Sequence, residues 1–319
     1  MIMYLAGNVG HEKTMYPIFS YIGGDLMRLY LAGGISGNLK PHWSELVTEG
    51  RKGNLRIFLA GTNGRRWCVD AILKEAFQLA ELDGRQYVNI PAGTKIDIAI
   101  LESFYYIDDW IKAIIPYLKH FLLDSGAFTF FTSGKKVDWD DYVDRYAEFI
   151  KEFDVKDFFE LDIDPLVGYK RVLELRERLE TKAERPCIPV WHKSRGKAEF
   201  LKMCDAYDYV AIGGIVSKEI KPPEYKYFPW FIEQAHRRGA KIHGLGFTNL
   251  EGMVKYHFDS VDSTSWTTGN RFGAIYQFDG RTMRKHGKPD GMRLSDARTA
   301  AIHNFNEWVK FQKYAERYL

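Results

Sequence analysis

Short apolar runs, each ended by a glycine or an acidic residue, alternate along this chain with longer stretches whose apolar side chains fall three and four positions apart. A run of four to eight apolar residues has the length of a buried strand, and the longer spacing lines one face of a helix. The alternation therefore reads as repeated βα units around a parallel sheet. Eight candidate strands follow from Leu55 onward: Leu55–Ala60, Asp97–Leu101, Phe121–Asp124, Phe158–Asp162, Ile188–His192, Tyr209–Ile212, Lys241–Leu245 and Ser260–Ser263. Eight is the number that closes a barrel of this kind. The expectation is an α/β chain forming a single (β/α)8 TIM-type barrel domain over residues 55–282, with 1–54 as an N-terminal extension and 283–319 as a C-terminal loop and helix. A doubly wound open sheet is the competing architecture.

One pattern occurs three times near the N-terminus: Met3-Tyr-Leu-Ala-Gly7, Leu29-Tyr-Leu-Ala-Gly33 and Ile57-Phe-Leu-Ala-Gly61. Each copy reads as a buried strand opening into a loop, and the first two are assigned to the extension. Trp139–Phe153 and Tyr169–Leu179 carry the helical spacing. Ser295–Leu319 begins on a residue suited to cap a helix and sets Ile302, Phe305, Trp308 and Val309 on one side, as a terminal helix closing over the barrel should.

Composition excludes more than it identifies. Three widely spaced cysteines, Cys68, Cys187 and Cys204, supply neither a disulfide framework nor a four-thiolate zinc site, so a reduced cytoplasmic setting is expected. No apolar run approaches the roughly 20 residues that span a bilayer, and the first residues lack a signal-peptide pattern, so no membrane association is expected. A formal charge of +3 is too small to argue for nucleic acid by itself. The 15% aromatic content suits a core and equally a site that stacks bases.

A barrel of this type presents its chemistry at the C-terminal ends of its strands. Four such ends carry polar groups: Asp124 in Leu-Leu-Asp-Ser-Gly-Ala-Phe, Asp162 and Asp164 in Leu-Asp-Ile-Asp-Pro, His192 in Pro-Val-Trp-His, and Asp259 with Asp262 in Phe-Asp-Ser-Val-Asp-Ser. A single aspartate at a strand-to-helix junction is most often a helix cap. Several converging on one cleft shift one another's pKa values, which provides both an ionised nucleophile and a proton-transfer group. Gly213-Gly214, after the strand Tyr209–Ile212, would let a ligand approach main-chain N–H groups with no side chain in the way.

In chain order these motifs resemble those of the tRNA-guanine transglycosylase superfamily. Leu-Ala-Gly-Thr (59–62) and Ile-Leu-Glu-Ser-Phe-Tyr-Tyr-Ile (100–107) resemble its first two strand ends. Asp124-Ser-Gly-Ala-Phe128 is similar to the segment bearing the general acid/base, Leu161-Asp-Ile-Asp-Pro165 to the one bearing the base-recognising aspartate, and Ala211-Ile-Gly-Gly-Ile215 to the one whose backbone meets the purine carbonyl. Val261-Asp-Ser-Thr-Ser-Trp266 resembles the nucleophile segment and aligns Asp262 with it, Asp259 being the alternative register. Two departures stand out: the family's zinc motif of three close cysteines and a histidine is missing, and the position that usually holds glutamine lies near Trp191-His192. A compact version without zinc resembles the phage-encoded branch that inserts 7-deazaguanine derivatives into DNA, which would work in the cytoplasm of the host cell.

The resemblance implies a pentosyltransferase that replaces guanine in a polynucleotide, DNA in preference to tRNA, with a free 7-deazaguanine-type base through a covalent aspartyl-glycosyl intermediate. Asp262 would be the nucleophile, Asp124 the proton-transfer group, Asp162 the base reader, and Gly213 and Gly214 the amides at the purine carbonyl. No cofactor or catalytic metal is implied, and a homo-oligomer is allowed. An extruded base needs stacking partners at the rim, for which Phe128, Trp191 and Trp266 are candidates beside His192. Phosphate contacts are assigned to Lys193 and Arg195 and to Arg271, Arg281, Arg284 and Lys285. The alternatives are a tRNA transglycosylase, a glycosylase in which water resolves the intermediate, and a catalytically silent barrel that binds nucleic acid within a larger complex.

Overall fold

The computed structural model describes residues 27–32, 43–48, 53, 55–59, 78–126, 129–130, 137–267, 273–287 and 297–319. In chain order, β1 (Arg28–Ala32) is followed by β2 (Trp43–Thr48), β3 (Leu55–Leu59), β4 (Gln78–Leu82) and β5 (Arg85–Ile90). Then come β6 (Ile96–Ser103), α1 (Asp109–Ile114), β7 (Leu118–Asp124), α2 (Trp139–Phe153), β8 (Asp157–Phe158), α3 (Asp164–Val167) and α4 (Tyr169–Ala183). The second half holds β9 (Val190–Trp191), α5 (Gly196–Ala206), β10 (Tyr209–Ile212), α6 (Phe228–Arg237), β11 (Lys241–Gly244), α7 (Leu250–Lys255), β12 (Ser260–Ser263), the hairpin β13 (Ile275–Phe278) and β14 (Met283–His286), and α8 (Ala297–Tyr318).

Eight of the strands form one curled parallel sheet in the order β8-β7-β6-β1-β12-β11-β10-β9. Each strand pairs with its neighbour in the βα sequence, and β12 pairs back onto β1, with Tyr30 opposite Asp262. The two end strands meet at a parallel bridge between Phe159 and Ile188. There Ile188 N–H donates to Phe158 O at 2.8 Å and Glu160 N–H donates to Ile188 O at 3.1 Å.

Strand parity separates two apolar regions. Leu29, Leu31, Ile98, Ile100, Leu123, Val210, Ile212, Ile242 and Val261 face the helices. Tyr30, Ala99, Leu101, Leu122, Phe159, Ile188, Val190 and Ala211 fill the inner face of the curl. The helices follow their sequence cues. Asp138 caps α2 by accepting from the N–H groups of Asp140 and Asp141, Val143, Tyr146, Ala147 and Ile150 are buried along one face, and Asp154 ends the helix in the left-handed conformation at φ 51°.

The strand expected at Leu55–Ala60 does not belong to the parallel sheet. It is the second strand of a separate antiparallel sheet, β2-β3-β5-β4. Asp83-Gly84, both at positive φ, make the tight β4–β5 turn. The place assigned to Leu55 is taken by β1, from the Leu29-Tyr-Leu-Ala-Gly33 copy of the repeat. The parallel sheet therefore starts at Arg28 rather than Leu55, and the antiparallel unit is inserted between its first and second strands. The two copies carry the same local signal, and only their partners distinguish them. The copy at Met3 lies outside the described residues.

The terminal helix packs against β1 and β6, and its buried Gln312 enters between them. The Gln312 amide nitrogen donates to Leu29 O and, at 2.8 Å, to Ala99 O, while its carbonyl oxygen accepts from Ala99 N–H at 3.1 Å. The same helix covers the edge of β13. His303 bonds Tyr276 O, Asn304 accepts from Tyr276 N–H and donates to Ala274 O, and Glu307 accepts from Phe278 N–H. Gln312→Leu keeps the volume but strands three backbone groups, so it should cost roughly 2–5 kcal/mol, read as a lower urea midpoint at unchanged m-value.

Candidate functional site

Strand parity carries the site residues inward. Leu122, Val190 and Ala211 belong to the inner cluster, and Asp124, His192 and Gly213 lie two residues further along the same strands. On β12, Val261 faces the helices, so its neighbours Ser260 and Asp262 face in. Asp124, the last residue of β7, accepts from Gly126 N–H at 2.9 Å. Asp162 Oδ2 accepts from His192 Nε2 at 3.1 Å, and His192 Nδ1 bonds Glu219 Oε2 at 3.0 Å. Glu219 Oε1 accepts from Ser194 N–H at 3.0 Å. Asp262 Oδ1 accepts from Gly246 N–H and from His243 Nε2, the latter at 3.2 Å, and His243 Nδ1 bonds Ser260 Oγ at 2.6 Å.

The electrostatics place the carboxylates in one region. Burial, then the charge of Asp162, and less strongly that of Asp262, raise the Asp124 carboxyl to about 7 against the opposing pull of Gly126 N–H. Burial alone would discharge His192, but its bonds to Asp162 and Glu219 outweigh that and raise the ring to about 10. The bond from His192 in turn holds Glu219 below the usual carboxylate range.

The two ambiguous registers resolve on contacts. Asp164 is tied to Arg195, which leaves Asp162 as the member of the pair facing His192. Asp259 precedes β12, at the opposite end from the site, where its side chain accepts from Ile242 N–H at 2.7 Å and bonds His236 at 2.9 Å. It orients the start of the strand.

Several expected contacts do not hold. Trp191 is buried against Phe200 and Phe231 and donates to Gly196 O at 2.8 Å, so it points to the helices and not to the rim. Trp266 is fully buried and packs edge-on against Phe305 of α8. The Arg195 side chain is 1% exposed and held by Glu160 and Asp164 with its guanidinium 4.4 Å from the Tyr169 ring, which removes it from phosphate binding. Lys193 is ion-paired with Glu224 and Arg284 with Asp279. Arg281 and Lys285 are exposed on the β13–β14 hairpin. Gly213 N–H donates to Trp191 O at 2.9 Å, so that amide is committed to the sheet and is not offered to a purine. Phe128 and Arg271 lie outside the described residues.

Glu219 and His243 escape a sequence reading for different reasons. Glu219 sits in a loop with no periodicity. His243 carries a usable signal, a polar residue at an inward position of the short strand Lys-Ile-His-Gly. The zinc of the resembled family has no fitting donor set: among the described residues no three His, Cys, Asp or Glu side chains gather as a metal site, and Cys187 and Cys204 are both buried. Also among the described residues, no helix is long and apolar enough to cross a membrane. No protein-family model matches the sequence, and no curated protein matches it.

Asp124 gives a stability test with a definite sign. Its folded pKa of about 7 lies above the ordinary 3.8, so the folded chain keeps a proton that the unfolded chain releases, and stability falls as pH rises from about 4 to about 7. Asp124→Asn removes that penalty. It should raise Tm by a few degrees at pH 8 and leave it nearly unchanged at pH 4, measured by calorimetry.

Proposed function

We propose that this chain is a base-exchange enzyme of the guanine transglycosylase type, built on a closed (β/α)8 barrel and acting on a polynucleotide, DNA in preference to tRNA. The observation that carries the reading is the gathering of Asp124, Asp162 and Asp262 from three strand ends, with Asp124 titrating near neutrality. The Phe159–Ile188 bridge supports closure of the sheet. The preference for DNA rests on the missing zinc donors and on the resemblance in sequence. The free base would be a 7-deazaguanine, and the reaction needs no redox partner.

Among the described residues the hydrogen bonds to Asp262 fall on Oδ1, so Oδ2 would be the oxygen that attacks the anomeric carbon. The new ester bond forms as the bond from that carbon to the guanine nitrogen breaks, and the bonding pair leaves with the base. Asp162 accepts from the N–H edge of the purine, and Gly214, at φ 79°, takes over the carbonyl contact from Gly213. A carboxyl with a pKa near 7 is half protonated under working conditions, so Asp124 can give a proton to the departing base. It then takes one from the incoming base, whose nitrogen attacks the same carbon and returns the electron pair to Asp262.

Protein incubated separately with DNA and with tRNA, plus a labelled 7-deazaguanine, should transfer label to DNA. Asp262→Asn should abolish both label transfer and the denaturation-resistant adduct with the polymer, whereas Asp259→Asn should slow exchange without removing the adduct. An adduct that survives in Asp262→Asn places the nucleophile elsewhere. Label released into water without entering a polymer marks a glycosylase.

Polymer contact is tested at the hairpin. Arg281→Ala with Lys285→Ala should weaken DNA binding and lower the slope of log K against log salt by about one per lost phosphate contact, with free-base affinity unchanged. An unchanged slope makes these residues ordinary surface charge.

A further inference from the structure

His192 lies between two carboxylates at the site. The His192 ring is bonded at both nitrogens by carboxylates from two different loops, Asp162 after β8 and Glu219 after β10. Both ring N–H groups are spent, so His192 has no donor to offer a ligand. Glu219 is itself held through Oε1 by Ser194 N–H.

The glycine pair sits against this contact. A Cβ on Gly213 would lie 2.9 Å from His192 Cε1 and Nε2 and 2.8 Å from Val190, and one on Gly214 would lie 2.8 Å from Glu219 Oε2. Gly214 also adopts φ 79°, where a side chain is strained, and its carbonyl accepts from Ile220 N–H at 3.0 Å, closing the loop that delivers Glu219.

We propose that Glu219 and His192 form one positioning unit that locks the Asp162 carboxylate in a single orientation, leaving its other oxygen to read an N–H-bearing base edge, and that Gly213-Gly214 is bare chiefly to seat this unit. The base-reading part rests on the function proposed above. The remaining charges around the unit do not compete for it. Arg195 is engaged by Glu160 and by Asp164, whose carboxylate also faces Glu219, and among the described residues no cation bonds the ring. The two donors of an imidazolium point away from each other in one ring plane, so carboxylates bonded at both nitrogens fix the ring between them.

NMR of histidine-labelled protein, with the His192 signal assigned through His192→Gln, tests the unit without reference to activity. The wild-type ring should remain an imidazolium at pH 8, and in the near-isosteric Glu219→Gln its midpoint should fall. Glu219→Gln should also weaken calorimetric binding of guanine and raise KM for the free base roughly tenfold, the scale of one charge-assisted hydrogen bond, with kcat within about twofold. Gly214→Ala, checked for folding by circular dichroism, should shift the same readouts in the same direction. A wild-type His192 that titrates near its ordinary 6.5 overturns the unit, as does a Glu219→Gln protein with unchanged midpoint and base affinity. A wild-type protein that keeps the charged ring but binds neither guanine nor a 7-deazaguanine overturns the transglycosylase reading and the base-reading role, while the titration still decides whether the unit exists.

Discussion

The fully buried carboxylate of Glu160 holds the part of the sheet on which the site depends. Oε1 accepts from Val190 N–H at 2.8 Å and from Arg195 at 2.7 Å, and Oε2 accepts from Arg176 at 2.6 Å. Its position is where the sheet is thinnest: β8 and β9 are two residues long and meet at one bridge. A ladder that short offers little cooperative backbone pairing. The charged knot replaces it by tying the end of one strand to the start of the other. Removing one member would leave an uncompensated charge where water cannot reach it, which typically costs about 3–5 kcal/mol. Two residues beyond Glu160 comes Asp162, and two beyond Val190 comes His192, so the knot also sets the distance across which those side chains meet.

Arg195 shows how such a knot disguises itself in a sequence. The run Lys193-Ser-Arg-Gly-Lys197 reads as a basic loop beside a site, which is a fair description of a phosphate-binding segment. What decides the matter is the location of acids far away in the chain, Glu160 and Asp164, brought alongside by a parallel crossover. Charge clustering is a local property and charge compensation is not.

The legible parts were those set by local physics. Strand-ending aspartates followed by turn residues were recognisable because a polar side chain after an apolar run marks the point where a strand leaves the core, and the strands at Tyr209–Ile212 and Ser260–Ser263 stand where their apolar runs lie. Pairing was not legible. Leu29–Leu31 and Ile57–Leu59 share a pattern, yet one joins the parallel sheet and the other an antiparallel sheet, because partner choice depends on segments distant in sequence. Parity accounts for the misplaced tryptophan: Trp191 neighbours the inward His192 and so must face the helices. Trp266 is covered by Phe305, nearly forty positions on, which no local pattern signals.

The site as a whole meets one difficulty in three ways. Carboxylates crowded at the end of an apolar interior repel one another and lose hydration, and each here is offset differently. Asp162 faces a cation, the imidazolium that Glu219 also holds. Asp262 accepts from a main-chain N–H and from His243, both, among the described residues, on one oxygen. Asp124 accepts from the main chain at Gly126, and it is this carboxyl that burial and its neighbours push up to about 7. The division follows from which strand ends supply partners: His192 directly follows β9 and His243 lies on β11, whereas β7 ends in the sequence Asp124-Ser-Gly, which offers no basic residue. Burial and a nearby like charge favour the protonated form of a carboxyl, so three aspartates alike in sequence stand in different environments, and Asp124 is the one displaced toward neutrality.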